Sequence, residues 1–208
     1  MQATLKGLYV VTPDWDDTDK LLAASDAALR GGAAVLQYRH KTADEALRRE
    51  QASALLALCR RHGRPFIIND YPELCVELDA DGVHVGGTDA AVAAVRQQVG
   101  PRRIVGASCY GSLELAQAAQ AAGASYVAFG GFYPSRVKKY EVTTPADIVA
   151  RARADAGVSL PSVVIGGMTR ENAQPLVTGG ADMVAVISSV YFADDPESAA
   201  REFARLFA

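Results

Sequence analysis

Gly7-Leu8-Tyr9-Val10-Val11-Thr12-Pro13-Asp14-Trp15-Asp16 decides between two architectures. The first six residues read as a strand that is apolar almost throughout, the pattern of a parallel strand covered on both faces. A doubly wound open sheet would follow such a strand with a glycine-rich phosphate turn. Pro13-Asp14-Trp15-Asp16 cannot serve that way. Seven more β-rich runs follow: Ala33–Arg39, Pro65–Asp70, Gly82–Gly86, Ile104–Ser108, Tyr126–Gly130, Ser162–Gly167 and Met183–Ser188. Between them lie alanine- and leucine-rich stretches with helical spacing, clearest in Leu21–Leu29, Glu45–Arg61, Leu113–Ala122 and Ala146–Ala156. The pairs Gly31-Gly32, Gly123-Ala124 and Gly179-Gly180 mark helix ends. Strand and helix alternating eight times in 208 residues predict an α/β fold, a (β/α)8 TIM barrel, as a single domain over residues 1–208.

The bulk properties narrow the function classes. Half the residues are hydrophobic and 22% are charged, which suits a globular chain with a sizeable core. A net charge of −3 speaks against a general nucleic-acid binder. No apolar run approaches the ~20 residues of a membrane span, and the first residues lack the tripartite layout of a signal peptide. Cys59, Cys75 and Cys109 are odd in number and widely spaced, so they read as reduced thiols of a cytoplasmic protein.

A barrel places its chemistry at the C-terminal ends of its strands. Here those ends carry Gln37-Tyr38-Arg39-His40-Lys41, Asn69-Asp70, Gly86-Gly87-Thr88-Asp89, Ser108, Ser135-Arg136-Val137-Lys138-Lys139, Gly166-Gly167 and Ile187-Ser188-Ser189. Alternation along an extended chain puts Gln37, Arg39 and Lys41 on one side. Two cations and an amide turned inward are costly unless they meet an anion. It also turns Tyr38 and His40 the other way, towards the outer helices. Asp70 and Asp89 suit Mg²⁺, which takes oxygen ligands and bridges to substrate phosphates. His84, in mid-strand, reads as a packed, hydrogen-bonded residue. Trp15 fits either a cover for the barrel mouth or a filler of a surface groove. The residues alone therefore point to a barrel acting on phosphorylated substrates.

These motifs, together with Ile68, Asp81-Gly82-Val83-His84-Val85-Gly86, Gly106-Ala107-Ser108, Tyr133–Lys138, Ile165 and Val186, resemble the successive motifs of thiamine phosphate synthases. The resemblance runs from the first strand to the last helix. It implies an enzyme, a transferase that joins 4-amino-2-methyl-5-(diphosphooxymethyl)pyrimidine to a (carboxy)thiazole ethyl phosphate and releases diphosphate. By resemblance the segment Gln37, Tyr38, Arg39, His40, Lys41, with Asn69, Ser108 and Lys138, holds the pyrimidine diphosphate. Arg39, Lys41, Ser108 and Lys138 take the catalytic roles. Asp70 and Asp89 hold Mg²⁺. Ser135, Arg136, Val137, Gly167, Ile187 and Ser188 meet the thiazole phosphate. In this family the diphosphate leaves before the thiazole nitrogen attacks, so charge neutralisation is needed and a strong nucleophile is not. The chain departs from the family pattern at Val137, often Thr, at Gly87, often Gln, and at Tyr71, often Asp. A thiazole tautomerase-like relative would share the thiazole phosphate cradle without the diphosphate and metal residues; a phosphate-ligand sensor could lose them freely. The implied partners are small molecules, with no nucleic acid and no membrane; a homo-oligomer is left open.

Overall fold

The structure is a computed structural model that describes residues 5–86, 89–134 and 144–208, with the side chains of 89 and 90 outside the description. Eight parallel strands close in sequence order into a barrel: β1 (Gly7–Val11), β2 (Val35–Tyr38), β3 (Phe66–Asn69), β4 (Gly82–Val85), β5 (Ile104–Tyr110), β6 (Tyr126–Gly130), β7 (Ser162–Ile165) and β8 (Met183–Val186). The ring shuts where β1 pairs β8, with Gly7 opposite Met183 and Val10 opposite Val186. Outside it lie α1 (Thr18–Arg30), α2 (Glu45–His62), α3 (Pro72–Glu77), α4 (Asp89–Val99), α5 (Leu113–Ala121), α6 (Ile148–Ala154) and α7 (Arg170–Thr178). A short α8 (Ser188–Tyr191) and α9 (Pro196–Ala204) end the chain. This is the (β/α)8 barrel that the opening stretch predicts.

The continuous apolar runs have two faces because the chain has two cores. Leu8, Val10, Leu36, Tyr38, Phe66 and Ile68 point outward into the layer shared with the helices. Tyr9, Val11, Val35, Ile67, Tyr126 and Ala128 point inward and fill the barrel. Successive side chains of a strand alternate, so neither face can be polar without cost.

Short side chains start the helices. The Asp44 carboxylate accepts the Leu47 backbone N–H at 2.8 Å, and Asp17, Ser112 and Asp195 act likewise for α1, α5 and α9. At the end of α1, Gly32 takes φ +105, a turn that costs a glycine nothing, and Arg30 in the last turn complements the helix dipole.

Three strands end two residues from the sequence expectation, and β8 is one of them, stopping at Val186 before Ser188 opens α8. β7 stops at Ile165, because Gly166 turns away at φ +121. β5 runs past Ser108 to Tyr110, with a register shift between those two residues against β6. The bulge leaves Tyr110 at φ +51 and half exposed on the rim.

Candidate active site

Two adjoining depressions open at the C-terminal ends of the strands. The first, about 500 Å³, is walled by Tyr9, Gln37, Arg39, Asn69, His84 and Tyr126. The second, about 650 Å³, is walled by Tyr110, Gly130, Gly166, Gly167, Met168, Ser188 and Ser189. Ser108, Ala128, Ile165, Ala185 and Ile187 belong to both. The two depressions are lobes of one cleft, with Ser108 and Ile187 where they meet.

The first lobe is cationic, and the chain fixes its cation. Thr12 accepts the Arg39 backbone N–H at 2.8 Å and donates to the Arg39 carbonyl at 2.9 Å. The Asp14 carboxylate accepts from Arg39 Nη1 at 3.1 Å and from the Lys41 backbone N–H at 3.0 Å. Among the described residues, Arg39 Nε stays buried without a hydrogen-bond partner. A buried donor with no acceptor is costly, and an anionic ligand would satisfy it. Lys41 Nζ stands 2.5 Å from Asp70 Oδ2 at the edge of the lobe, both side chains about half exposed. Asp70 holds φ +67, a conformation rare for a residue with a Cβ, and its N–H donates to the His84 carbonyl at 2.9 Å.

Below this rim a string of polar groups crosses the otherwise apolar barrel interior. Gln37 Nε2 donates to Tyr9 Oη at 2.9 Å, and Tyr9 Oη lies 2.7 Å from Tyr126 Oη. His84 Nδ1 lies 2.8 Å from Tyr126 Oη, and His84 Nε2 lies 2.9 Å from Ser108 Oγ. Burial raises both phenols above their ordinary range, so they stay neutral.

The second lobe is built from backbone. Gly167 sits at φ +60, and a Cβ on it would fall 2.3 Å from the Pro134 carbonyl. Asn172 donates to the Gly167 carbonyl at 3.0 Å and accepts the Thr169 N–H at 2.8 Å, which ties the turn to the start of α7. Opposite, α8 begins at Ser188; the first N–H groups of a helix have no carbonyl partner within it. Ser189 Oγ donates to the Met168 carbonyl at 2.5 Å and joins the two walls.

Gln37, Arg39, Asn69 and Ser108 thus gather in the first lobe, and Gly167, Ile187 and Ser188 in the second. Lys41 and Asp70 meet on the rim. Tyr38 and His40 do not join the cleft, a correction to their place in the motif. Tyr38 is buried in the outer layer and donates to Gln51 Oε1 at 3.0 Å. His40 is buried too, its Nε2 3.3 Å from Asp16 Oδ1 without hydrogen-bond geometry. Ser135, Arg136, Val137 and Lys138 lie outside the described residues, as does the Asp89 side chain, although Asp89 opens α4. Thr12, Asp14, Tyr9 and Tyr126 escaped the sequence reading. Their partners lie 25 to 117 residues away, so no local pattern announces them. His84 is hydrogen-bonded as expected, yet it lines the cleft. Trp15 packs edge-on to Tyr191 and Phe192 with Lys20 over its ring, and so fills a groove beside α8.

The thiols offer no alternative chemistry. Cys59, Cys75 and Cys109 are free and buried, and burial pushes them up to about 12, 11 and 12. Cys109, at the end of β5, turns outward into the layer shared with the helices. Among the described residues no helix is long and apolar enough to cross a membrane, and no group of three or more His, Cys, Asp or Glu residues could hold a metal ion.

Fold and cleft together define a (β/α)8-barrel protein with a cationic lobe and a backbone-lined lobe at the catalytic end. A family model described as thiamine monophosphate synthase matches residues 8–190. The chain is 64% identical over 208 residues, all of both chains, to the thiamine-phosphate synthase of Janthinobacterium sp. (strain Marseille). It is 52% identical to that of Thiobacillus denitrificans, over 97% of this chain and 95% of the relative. The solved thiamine phosphate pyrophosphorylase of Pyrococcus furiosus superposes with a TM-score of 0.83 at 31% identity, covering 100% of this chain and 98% of that one. A 3-hexulose-6-phosphate synthase, at 20% identity and a TM-score of 0.71, shares the fold alone. The chain belongs to the thiamine monophosphate synthase family.

Proposed function

We propose that this chain is a single-domain cytoplasmic transferase, a thiamine phosphate synthase. It joins 4-amino-2-methyl-5-(diphosphooxymethyl)pyrimidine to a (carboxy)thiazole ethyl phosphate and releases diphosphate. The observation that carries this reading is the two-lobed cleft, whose lobes meet at Ser108 and Ile187. Two substrates seated one per lobe have their reacting atoms at that junction, and such orientation removes much of the entropic barrier. The family membership agrees with it.

In this reading Gln37, Asn69 and Ser108 hold the pyrimidine. Arg39 and Lys41, with Lys138 beyond the described residues, neutralise the departing diphosphate. The unpartnered Arg39 Nε supports this, because a donor already desolvated and fixed needs no reorganisation when charge develops. Gly167, Ile187 and Ser188, with Ser135, Arg136 and Val137, hold the thiazole phosphate. A close-packed glycine turn facing a helix start is suited to phosphate oxygens. The residues also fit Mg²⁺: Asp70 offers a hard, accessible carboxylate beside the cationic lobe, and Asp89 opens the helix after β4. The ion would screen diphosphate charge. Lys41 within 2.5 Å of Asp70 keeps that carboxylate compensated when no ligand is present.

The test is diphosphate release measured with both substrates, with each omitted in turn, and with Mg²⁺ removed by chelation. Release is expected only with both substrates and the metal together. Release from neither combination, with thiazole phosphate alone binding, would overturn the reading.

A further inference from the structure

We propose that the buried chain Gln37–Tyr9–Tyr126–His84–Ser108 is a directional hydrogen-bond wire that makes the pyrimidine lobe select an aminopyrimidine over its oxo counterpart. Tyr9, Tyr126 and His84 are then positioning residues. The inference rests on the reading above in which Gln37 and Ser108 touch the pyrimidine ring.

The four links measure 2.9, 2.7, 2.8 and 2.9 Å in order from Gln37 to Ser108. Gln37, Tyr9, Tyr126 and His84 are all buried, and the Tyr126 and His84 rings stack at 5.6 Å. A neutral phenol has one proton. Tyr9 Oη accepts from the Gln37 amide and, among the described residues, has only Tyr126 Oη to receive its own proton, so the wire sends that proton to Tyr126 rather than leave a buried donor unpaired. Tyr126 in turn donates to His84 Nδ1. An imidazole that accepts at Nδ1 carries its proton on Nε2 and donates it to Ser108 Oγ. The Ser108 proton then turns from the wire into the lobe, as does the Gln37 carbonyl oxygen. The lobe therefore presents a donor at Ser108 and an acceptor at Gln37. An aminopyrimidine edge has an accepting ring nitrogen beside a donating amino group, and so complements both. The oxo counterpart has N–H and C=O in those places. It meets donor with donor and acceptor with acceptor.

Gly106 leaves the room this wire needs. A Cβ there would fall 2.0 Å from Tyr126 Cζ, 2.2 Å from Tyr126 Oη and 2.6 Å from His84 Nδ1. Packing alone does not call for three polar rings in a barrel interior, since buried hydroxyls are tolerated only when paired and phenylalanine would fill the same space.

The experiment is calorimetric titration of the full chain with the 4-amino pyrimidine diphosphate, its 4-oxo counterpart and thiazole phosphate. The wild type is expected to prefer the amino compound by at least about tenfold, the worth of one mismatched hydrogen bond. Tyr126→Phe cuts the wire in the middle, and Tyr9→Phe cuts it one link away. With either cut the proton order at His84 Nδ1 is no longer imposed from Gln37, and the preference should fall to within about threefold. Thiazole phosphate affinity should stay unchanged in both variants. A preference retained in both phenylalanine variants, or absent from the wild type, would overturn the wire. Ser108→Ala and Gln37→Leu are the control for the underlying reading. If both left pyrimidine diphosphate affinity intact, that reading would fail and the wire with it.

Discussion

Arg39 is shaped before any ligand arrives. Thr12 clamps its backbone from both sides, Asp14 holds one arm of the guanidinium, and Nε has no partner among the described residues. Asp14 also fixes the Lys41 backbone, so a single carboxylate positions two cations. Asp14→Ala is expected to weaken pyrimidine diphosphate binding by about tenfold, the lower end for a charge-assisted bond because Asp14 is a third exposed. Thiazole phosphate binding should hold; calorimetry with each ligand reads both. Tyr38 predicts the opposite separation. Tyr38→Phe leaves the fully buried Gln51 Oε1 without its donor, at a cost of about 1–3 kcal/mol in denaturant unfolding. Turnover should be untouched, because the side chain faces the helices. The thiols give a pH signature. Their folded values lie above the ordinary value of 9.0, Cys59 at about 12, so the unfolded chain loses these protons first. Stability from this source is complete below pH 9 and drains away as pH rises towards 12. Native thiols should also resist alkylation at pH 8 until denaturant is added.

At the level of elements, period-two alternation did most of the work. It separates Gln37 and Arg39 from Tyr38 and His40 with no knowledge of the fold, since the faces of a strand are fixed by its pleat. The strands are legible because most are nearly continuous in apolar residues and bounded by polar or glycine residues. Their ends were less so. The sequence pattern of β7 runs on through Gly167, but Gly166 and Gly167 are turn residues at positive φ. β5 continues past Ser108 through a bulge, which depends on the neighbouring strand rather than on β5 itself. Of the candidate site, inward residues on strands were readable, whereas Thr12, Asp14, Tyr9 and Tyr126 act through distant partners. Gly167→Ala tests the turn after β7. The added methyl would meet the Pro134 carbonyl at 2.3 Å, in a left-handed conformation that alanine resists. Backbone must shift, so thiazole phosphate affinity should drop by roughly tenfold or more, as expected when a hydrogen bond to a charged group is lost. Pyrimidine diphosphate affinity should not follow.

The whole molecule divides its labour around the ring. The charged and amide side chains of the first lobe come from the ends of β2 and β3, the glycine turn and helix start of the second from the ends of β7 and β8, and Ser108 and Ile187 belong to both lobes. Lys41 stands on the rim of the first lobe and Gly167 lines the second, so a change at Lys41 should reach only one substrate. Lys41→Ala removes a cation from the diphosphate lobe and leaves Asp70 without its 2.5 Å partner. Both side chains of that pair are about half exposed, and exposed pairs contribute about 0–1 kcal/mol. The melting temperature should therefore move by no more than about 2–4 °C in a chain of this size. Turnover should respond far more, because neutralising a leaving diphosphate is a transition-state effect: a loss of about a hundredfold or more in kcat is expected. Affinity for thiazole phosphate should remain within about twofold of wild type, since Lys41 lines none of the described wall of that lobe and distant sites act independently. Calorimetry, single-turnover rates and thermal melting on one preparation give all three quantities. A thiazole phosphate affinity that fell as far as the pyrimidine diphosphate affinity would show the two lobes to be one coupled pocket, and the division of labour would be lost.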